Sequence, residues 1–115
     1  VEPGRITLVG FSRGAHLTAL TAARFTDAGI NTALMGLCID GSVPGMPELR
    51  LGGKLLSIYE ETDVVRSCAT LAQQSTGLVS FEEIAINTGL QHGAFYRPLE
   101  VWMTPLRNWI AETNG

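Results

Sequence analysis

Short, unbroken runs of apolar side chains recur along the chain. Three of them occupy residues 6–9, 33–39 and 55–59, and residues 84–86 form a shorter fourth run. Unbroken apolar runs, unlike alternating ones, are typical of strands that are buried on both faces of a parallel sheet. The pattern therefore predicts four strands, of which the fourth has the weakest signal.

Between these runs the apolar positions take on helical spacing. Residues 15–28 are rich in alanine and leucine and end at Gly29, a residue type that commonly follows the last turn of a helix. Similar spacing predicts helices over residues 64–75 and 99–111, the second with a kink or a restart at Pro105. Strands that alternate with helices predict an α/β fold with a parallel sheet of about four strands flanked by helices.

One long connection, residues 41–53, lacks an evident helix and contains four glycines and two prolines. This composition predicts a surface loop. Nothing else in the sequence suggests a boundary, so residues 1–115 are expected to form a single domain.

Composition and charge narrow the range of partners. The chain has 115 residues, of which 45% are hydrophobic and 17% charged, and a formal net charge of −3. Because it lacks a basic cluster, binding to nucleic acid is not expected. Because it lacks an apolar stretch of roughly 18 residues, a membrane-spanning segment is not expected. The cellular location stays open, with the cytoplasm slightly favoured.

The two cysteines, Cys38 and Cys68, are too few for a disulfide framework, and their spacing does not match a zinc-binding CxxC pair. We expect both to be small, buried apolar side chains.

A glycine-flanked serine follows the first predicted strand directly. Residues 10–14 read Gly-Phe-Ser-Arg-Gly, a GxSxG pattern between a strand and a helix. At such a sharp turn a Cβ atom at either glycine position is expected to collide with the neighbouring strand or helix, and the serine hydroxyl becomes exposed. We predict that Ser12 is a nucleophile and that the backbone amide of Arg13 stabilises an oxyanion. The alternative is that Ser12 only caps the helix.

A serine nucleophile needs a base, and the chain contains only His16 and His92. His16 lies four residues after Ser12 on the same predicted helix, where it is expected to be packed or solvated. His92 lies in a glycine-flanked loop after the fourth predicted strand, where a parallel sheet brings its loops to the edge that carries the serine. His92 is therefore the predicted base.

The base in turn needs a carboxylate to orient it. Asp63 follows the third predicted strand and is the preferred candidate. Asp40 ends the second strand and is the alternative acid, although a turn role with the next glycine would explain it equally. Glu60 and Glu61 are further alternatives.

With these motifs the chain resembles the C-terminal half of the α/β-hydrolase superfamily, from the strand before the nucleophile to the final helix. The matching segments, in family order, are residues 10–14, residues 62–65 and His92 with the glycine that follows it. The resemblance implies a serine hydrolase that cleaves carboxylic esters or thioesters through an acyl-enzyme, with a Ser12, His92 and Asp63 triad. It implies no metal and no cofactor.

The sequence also departs from the family pattern. In the family, an N-terminal half supplies further strands and the second oxyanion donor, whereas this sequence starts at the strand before the serine. The strand at residues 6–9 is then expected to be a sheet edge that pairs either with such a half or with a second copy in a homodimer. The alternative is a catalytically silent half domain that serves assembly, or a fragment of a longer hydrolase.

Three aromatic residues near the predicted catalytic loops, Phe11, Phe95 and Tyr96, are candidates for a substrate pocket, although packing in the core would also explain them. Residues 41–53, where the family inserts lids, are too few to build one. We therefore expect an open site that takes a small ester substrate.

Overall fold

The computed structural model describes residues 1–39, 48–64 and 67–114. Its centre is a sheet of four strands in the order β1-β2-β3-β4, and each neighbouring pair is parallel. The predicted α/β fold with a four-stranded parallel sheet is therefore confirmed. The strands are β1 (Thr7–Phe11), β2 (Asn31–Met35), β3 (Gly53–Glu60) and β4 (Leu78–Ile86).

Helices cover both faces of this sheet. They are α1 (Arg13–Ala23), α2 (Ala69–Gln74) and α3 (Glu100–Asn114), and short 3-10 segments occupy Pro3–Arg5, Thr26–Ala28 and Gln91–Tyr96. Leu34 of β2 packs with α1 and α2, whereas its neighbours Ala33 and Met35 pack with α3 and the last 3-10 segment. Since successive side chains of a strand point to opposite faces, one unbroken apolar run contributes to two separate cores.

Several boundaries differ from the prediction. Strand β4 is three times as long as the predicted run, because most of its residues are exposed or half-buried and give no apolar signal. Among the described residues, the second helix is only Ala69–Gln74. The last helix continues through Pro105 to Asn114, so the predicted restart there is wrong. The packing of Trp102, Leu106 and Trp109 into the core supports both sides of the proline.

The predicted surface loop lies only partly within the described residues, because residues 41–47 fall outside them. In the described remainder, the side chains of Glu48 and Arg50 are exposed, whereas Leu49 and Leu51 are buried. The Leu51 amide donates to Ser75 Oγ at 2.9 Å, and the Gln74 side chain donates to the Leu49 carbonyl at 2.8 Å. The apolar side chains of this segment fill the core beside α2, which its glycines and prolines did not indicate.

The two cysteines lie at the core, Cys68 buried and Cys38 partly buried, but they are not the separate apolar side chains that were expected. Cys38 and Cys68 form a disulfide that joins the segment after β2 to the residue before α2. The sequence separation of 30 residues gave no sign of this contact, which arises only when β2, β3 and α2 pack together.

One long side of the sheet is open. Within the described part of the chain, β1 pairs only with β2. Val9, Phe11 and the nearby Leu17 on α1 are 42%, 38% and 65% exposed. A groove of about 190 Å³ runs along this edge and is lined by Leu8, Val9, Leu17, Thr18 and Thr21. Among the described residues, no helix is both long and apolar enough to cross a membrane.

Candidate active site

Ser12 lies at the turn between β1 and α1, at the carboxyl edge of the sheet. Its backbone has φ 55° and ψ −124°, a positive-φ conformation outside the left-handed helical region that is rare for residues with a side chain. The Ser12 amide donates to the Met35 carbonyl at 2.9 Å, which ties the turn to the end of β2. The turn therefore has the sharp strand-to-helix geometry that presents a hydroxyl to solvent.

The two glycines of the GxSxG pattern play different parts. A Cβ atom at Gly10 would collide with the Gly14 carbonyl and the Thr18 hydroxyl. A Cβ atom at Gly14 would meet nothing within 4 Å, so the expectation of a collision there is wrong. Position 14 has open space beside it, whereas position 10 lies against the backbone of the first helical turn.

The Ser12 side chain makes no capping hydrogen bond to α1. Its Oγ lies 2.7 Å from Nε2 of His92 instead, and Nδ1 of His92 lies 2.7 Å from Oδ2 of Asp63. The three predicted side chains thus form one continuous hydrogen-bonded row, although 80 residues separate Ser12 from His92.

Asp63 sits in the turn after β3, and its side chain is only 3% exposed, whereas the His92 side chain is 36% exposed. Oδ1 of Asp63 accepts a hydrogen bond from the Val64 amide at 2.7 Å, which leaves Oδ2 for the histidine. Because an ionised carboxylate only accepts hydrogen bonds, Nδ1 of a neutral His92 carries the proton and Nε2 accepts the Ser12 hydroxyl. This is the tautomer that a general base requires.

The competing candidates occupy other places. Asp40 lies outside the described residues. His16 lies on α1, and within the described part of the chain His92, not His16, bonds to the Ser12 side chain. His92 itself belongs to the 3-10 segment Gln91–Tyr96, although the sequence suggested a loop.

Arg13 is the first residue of α1. The first amides of a helix have no partner within it and point toward its N-terminus, and the Arg13 amide is one of these, next to Ser12. The Arg13 side chain is exposed.

Two of the three predicted pocket residues border the site. The rings of Phe11 and Tyr96 meet edge to face at 5.6 Å, and Tyr96 also contacts the His92 ring at 5.9 Å. Tyr96 is 65% exposed, which suits contact with a substrate. Phe95 is instead a core residue, 3% exposed and packed near Trp102, because the turn of the 3-10 segment points it into the sheet.

Two residues that support this site carried no signal in the sequence. Gly36 has φ 73°, and a Cβ atom there would lie 3.0 Å from Phe95 and 3.3 Å from Cε1 of His92. Glu60 is fully buried at the end of β3 and accepts hydrogen bonds from Thr62, Thr88 and Gly89. The hydroxyl and amide donors of Thr62 and Thr88 lower the pKa of Glu60 to about 2. A strand-end glycine in a chain with 13 glycines, or a glutamate considered only as an alternative acid, gave no reason to expect either role.

Comparison with protein-family models, with curated proteins and with solved structures found no match to this chain. Within the described ranges, no group of three or more His, Cys, Asp or Glu side chains is arranged to hold a metal ion.

Proposed function

We propose that the protein is a serine hydrolase that cleaves carboxylic esters or thioesters through an acyl-enzyme, as its resemblance to the C-terminal half of the α/β-hydrolases implies. The observation that carries this proposal is the row Ser12–His92–Asp63, with both hydrogen bonds at 2.7 Å. Serine and histidine within hydrogen-bond reach, with the histidine oriented by a carboxylate, are what activation of a hydroxyl requires.

In the proposed reaction Ser12 Oγ attacks the carbonyl carbon of the substrate while Nε2 of His92 takes the hydroxyl proton. The negative charge that develops on the carbonyl oxygen is stabilised by the Arg13 amide and the N-terminus of α1. When the C–O or C–S bond breaks, His92 returns the proton to the leaving alcohol or thiol. A water molecule, deprotonated by His92, then hydrolyses the acyl-enzyme and releases Ser12.

The surroundings of the row favour a substrate that reaches the site from open solvent. The His92 side chain is about one-third exposed, and the exposed ring of Tyr96 stands next to it. A small ester or thioester, held against Phe11 and Tyr96, fits this setting best.

The decisive experiment is labelling of the full 115-residue chain with a fluorophosphonate, followed by mass mapping of the modified residue. We expect the label on Ser12 and no ester turnover by Ser12→Ala. In His92→Ala, ester turnover should fall by about 1,000-fold or more. His16→Ala, which changes the other histidine, is the matched control and should label normally. Ester turnover that persists in Ser12→Ala would refute the proposed mechanism.

A catalytically silent domain that serves assembly is the second candidate, and the open edge at β1 favours it. Apolar, unpaired strand edges associate with other strands, supplied here by a second copy or by a preceding half domain. Such a partner is also the expected source of a second oxyanion donor, whose loss costs on the order of 100- to 1,000-fold in rate. A folded wild-type chain that associates through β1 and resists the label would favour this alternative.

A further inference from the structure

The buried carboxylate of Glu60 lies between the two loops that carry the acid and the base of the site. It stands at the last position of β3, and its side chain has no exposed surface. Burying an ionised carboxylate is costly unless hydrogen bonds replace the lost water. The hydrogen-bond partners of Glu60 therefore identify the parts of the chain that it links.

The two carboxylate oxygens serve different loops. Oε1 accepts the amide and the hydroxyl of Thr62, both at 2.6 Å. Oε2 accepts the amide and the hydroxyl of Thr88 at 2.7 and 2.6 Å, and the amide of Gly89 at 3.0 Å. Thr62 directly precedes Asp63, and Thr88 and Gly89 lead into the segment that carries His92.

We propose that Glu60 is a positioning residue that holds the Asp63 turn and the His92 loop at the spacing at which Oδ2 and Nδ1 meet. Asp63 and His92 both lie outside the hydrogen-bonded strands of the sheet, and the five hydrogen bonds to Glu60 join the segments that carry them. Its effect on rate rests on the proposed hydrolase function, whereas its effect on the Asp63–His92 contact does not.

The same hydrogen bonds keep Glu60 ionised. They hold its pKa near 2, so at neutral pH both oxygens are acceptors for all five donors. Three of those donors are backbone amides, which cannot reverse their polarity. Glutamine in this position offers one acceptor oxygen and one donor group, and so it can accept from the backbone amides of only one of the two loops.

The test compares Glu60→Gln with the wild-type full chain by the ring ¹⁵N shifts of its histidines, which report the tautomer. Wild-type His92 should be held with the proton on Nδ1, and Glu60→Gln should give a mixture of tautomers, with His16 unchanged as an internal reference. If the site is active, fluorophosphonate labelling of Ser12 should slow about 10- to 100-fold, as expected when a reacting group is misplaced by about 1 Å.

Two control variants separate positioning from general stability. Glu100→Gln removes a carboxylate that accepts from Thr104 and Arg107 on the exposed side of α3. Leu71→Ala opens a cavity in the core beside α2, away from the two loops. Both should keep the His92 tautomer, although Leu71→Ala should lower the melting temperature.

If Glu60→Gln does not fold, Thr88→Ala removes one hydroxyl donor to Glu60, together with the acceptor of the Leu90 amide, and Thr88→Ser restores both. A partial shift of the His92 tautomer in Thr88→Ala and its return in Thr88→Ser would support the proposal. An unchanged tautomer in Glu60→Gln or Thr88→Ala, or a wild-type His92 that already mixes tautomers, would overturn it. A wild type that keeps a single tautomer but takes no label refutes the hydrolase function alone.

Discussion

Ser12 occupies a sparsely populated backbone conformation that costs a residue with a side chain roughly 1–3 kcal/mol. The hydrogen bond from its amide to the Met35 carbonyl and the start of α1 hold it there, while Oγ is directed to His92 and not to the helix. A serine that only capped the helix would adopt extended backbone and bond to an amide of the first turn. The strain is therefore better explained by the need to present the hydroxyl.

Gly36 offers a test of how tightly His92 is held. In Gly36→Ala the new Cβ atom would press on Phe95 and on the His92 ring, and the left-handed backbone would cost a further 1–2 kcal/mol or so. We expect labelling of Ser12 to slow about 10- to 100-fold, because the histidine moves away from the hydroxyl. Labelling rates at equal fractions of folded protein measure this effect.

Gly29→Ala is the matched control for this variant. Gly29 has φ 78°, close to the 73° of Gly36, but a Cβ atom there would meet nothing within 4 Å. Both variants should lose similar backbone stability, and only Gly36→Ala should label slowly. Equal labelling of the two would show that contact with His92 does not matter.

The sequence was informative about residues whose chemistry is tied to a strand end. Ser12, Asp63 and His92 each follow a strand, and a parallel sheet brings those strand ends to one edge. Glu60 and Gly36 could not be assigned this way, because their roles depend on atoms that reach them only in the folded chain. Glu60 meets Thr88 from 28 residues away, and no local pattern encodes that distance.

At the level of elements, the quality of the prediction followed burial. β2 is buried at every position, so its apolar run was visible. β4 lies at the end of the sheet and carries side chains such as Glu82 on its exposed surface, so only its last residues were recognised. α2 is short and gains stability from Leu71 and the adjacent disulfide more than from its own pattern.

The disulfide should contribute measurably to the stability of the α1–α2 side of the sheet. Closing a loop across a separation of 30 residues restricts the unfolded chain, by about 3–4 kcal/mol in the loop-entropy model. We expect the double variant Cys38→Ala/Cys68→Ala to lose about that much free energy of unfolding, measured by urea titration. A disulfide is also typical of oxidising compartments, which weighs against the slight preference for the cytoplasm.

Reduction provides the control for this prediction. A thiol reductant should lower the urea midpoint of the wild type and leave that of the double variant unchanged. A wild type whose midpoint is insensitive to reduction would contradict the assigned contribution.

For the whole molecule, the two sides of the sheet differ in what they complete. On the β3–β4 side, Glu60 joins the turn of Asp63 to the segment of His92, so the Asp63–His92 contact does not depend on a partner at β1. The β1 side carries Ser12 at a strand whose outer edge is unpaired within the described residues. Association at that edge is therefore expected to influence the nucleophile first, and the Asp63–His92 contact little.

The acid stability of the whole domain should depend on Glu60. Its pKa is lowered from 4.5 to about 2 on folding, so its stabilising contribution is complete above about pH 4.5 and is lost as the pH falls toward 2. Melting temperatures measured from pH 7 to pH 2 should fall in this window for the wild type. Glu60→Gln should melt lower at pH 7 and decline less steeply, because its side chain does not titrate. Because other carboxylates titrate in the same range, the informative quantity is the difference between the wild-type and Glu60→Gln melting curves. Parallel curves would mean that Glu60 is not the ionised link between the two loops.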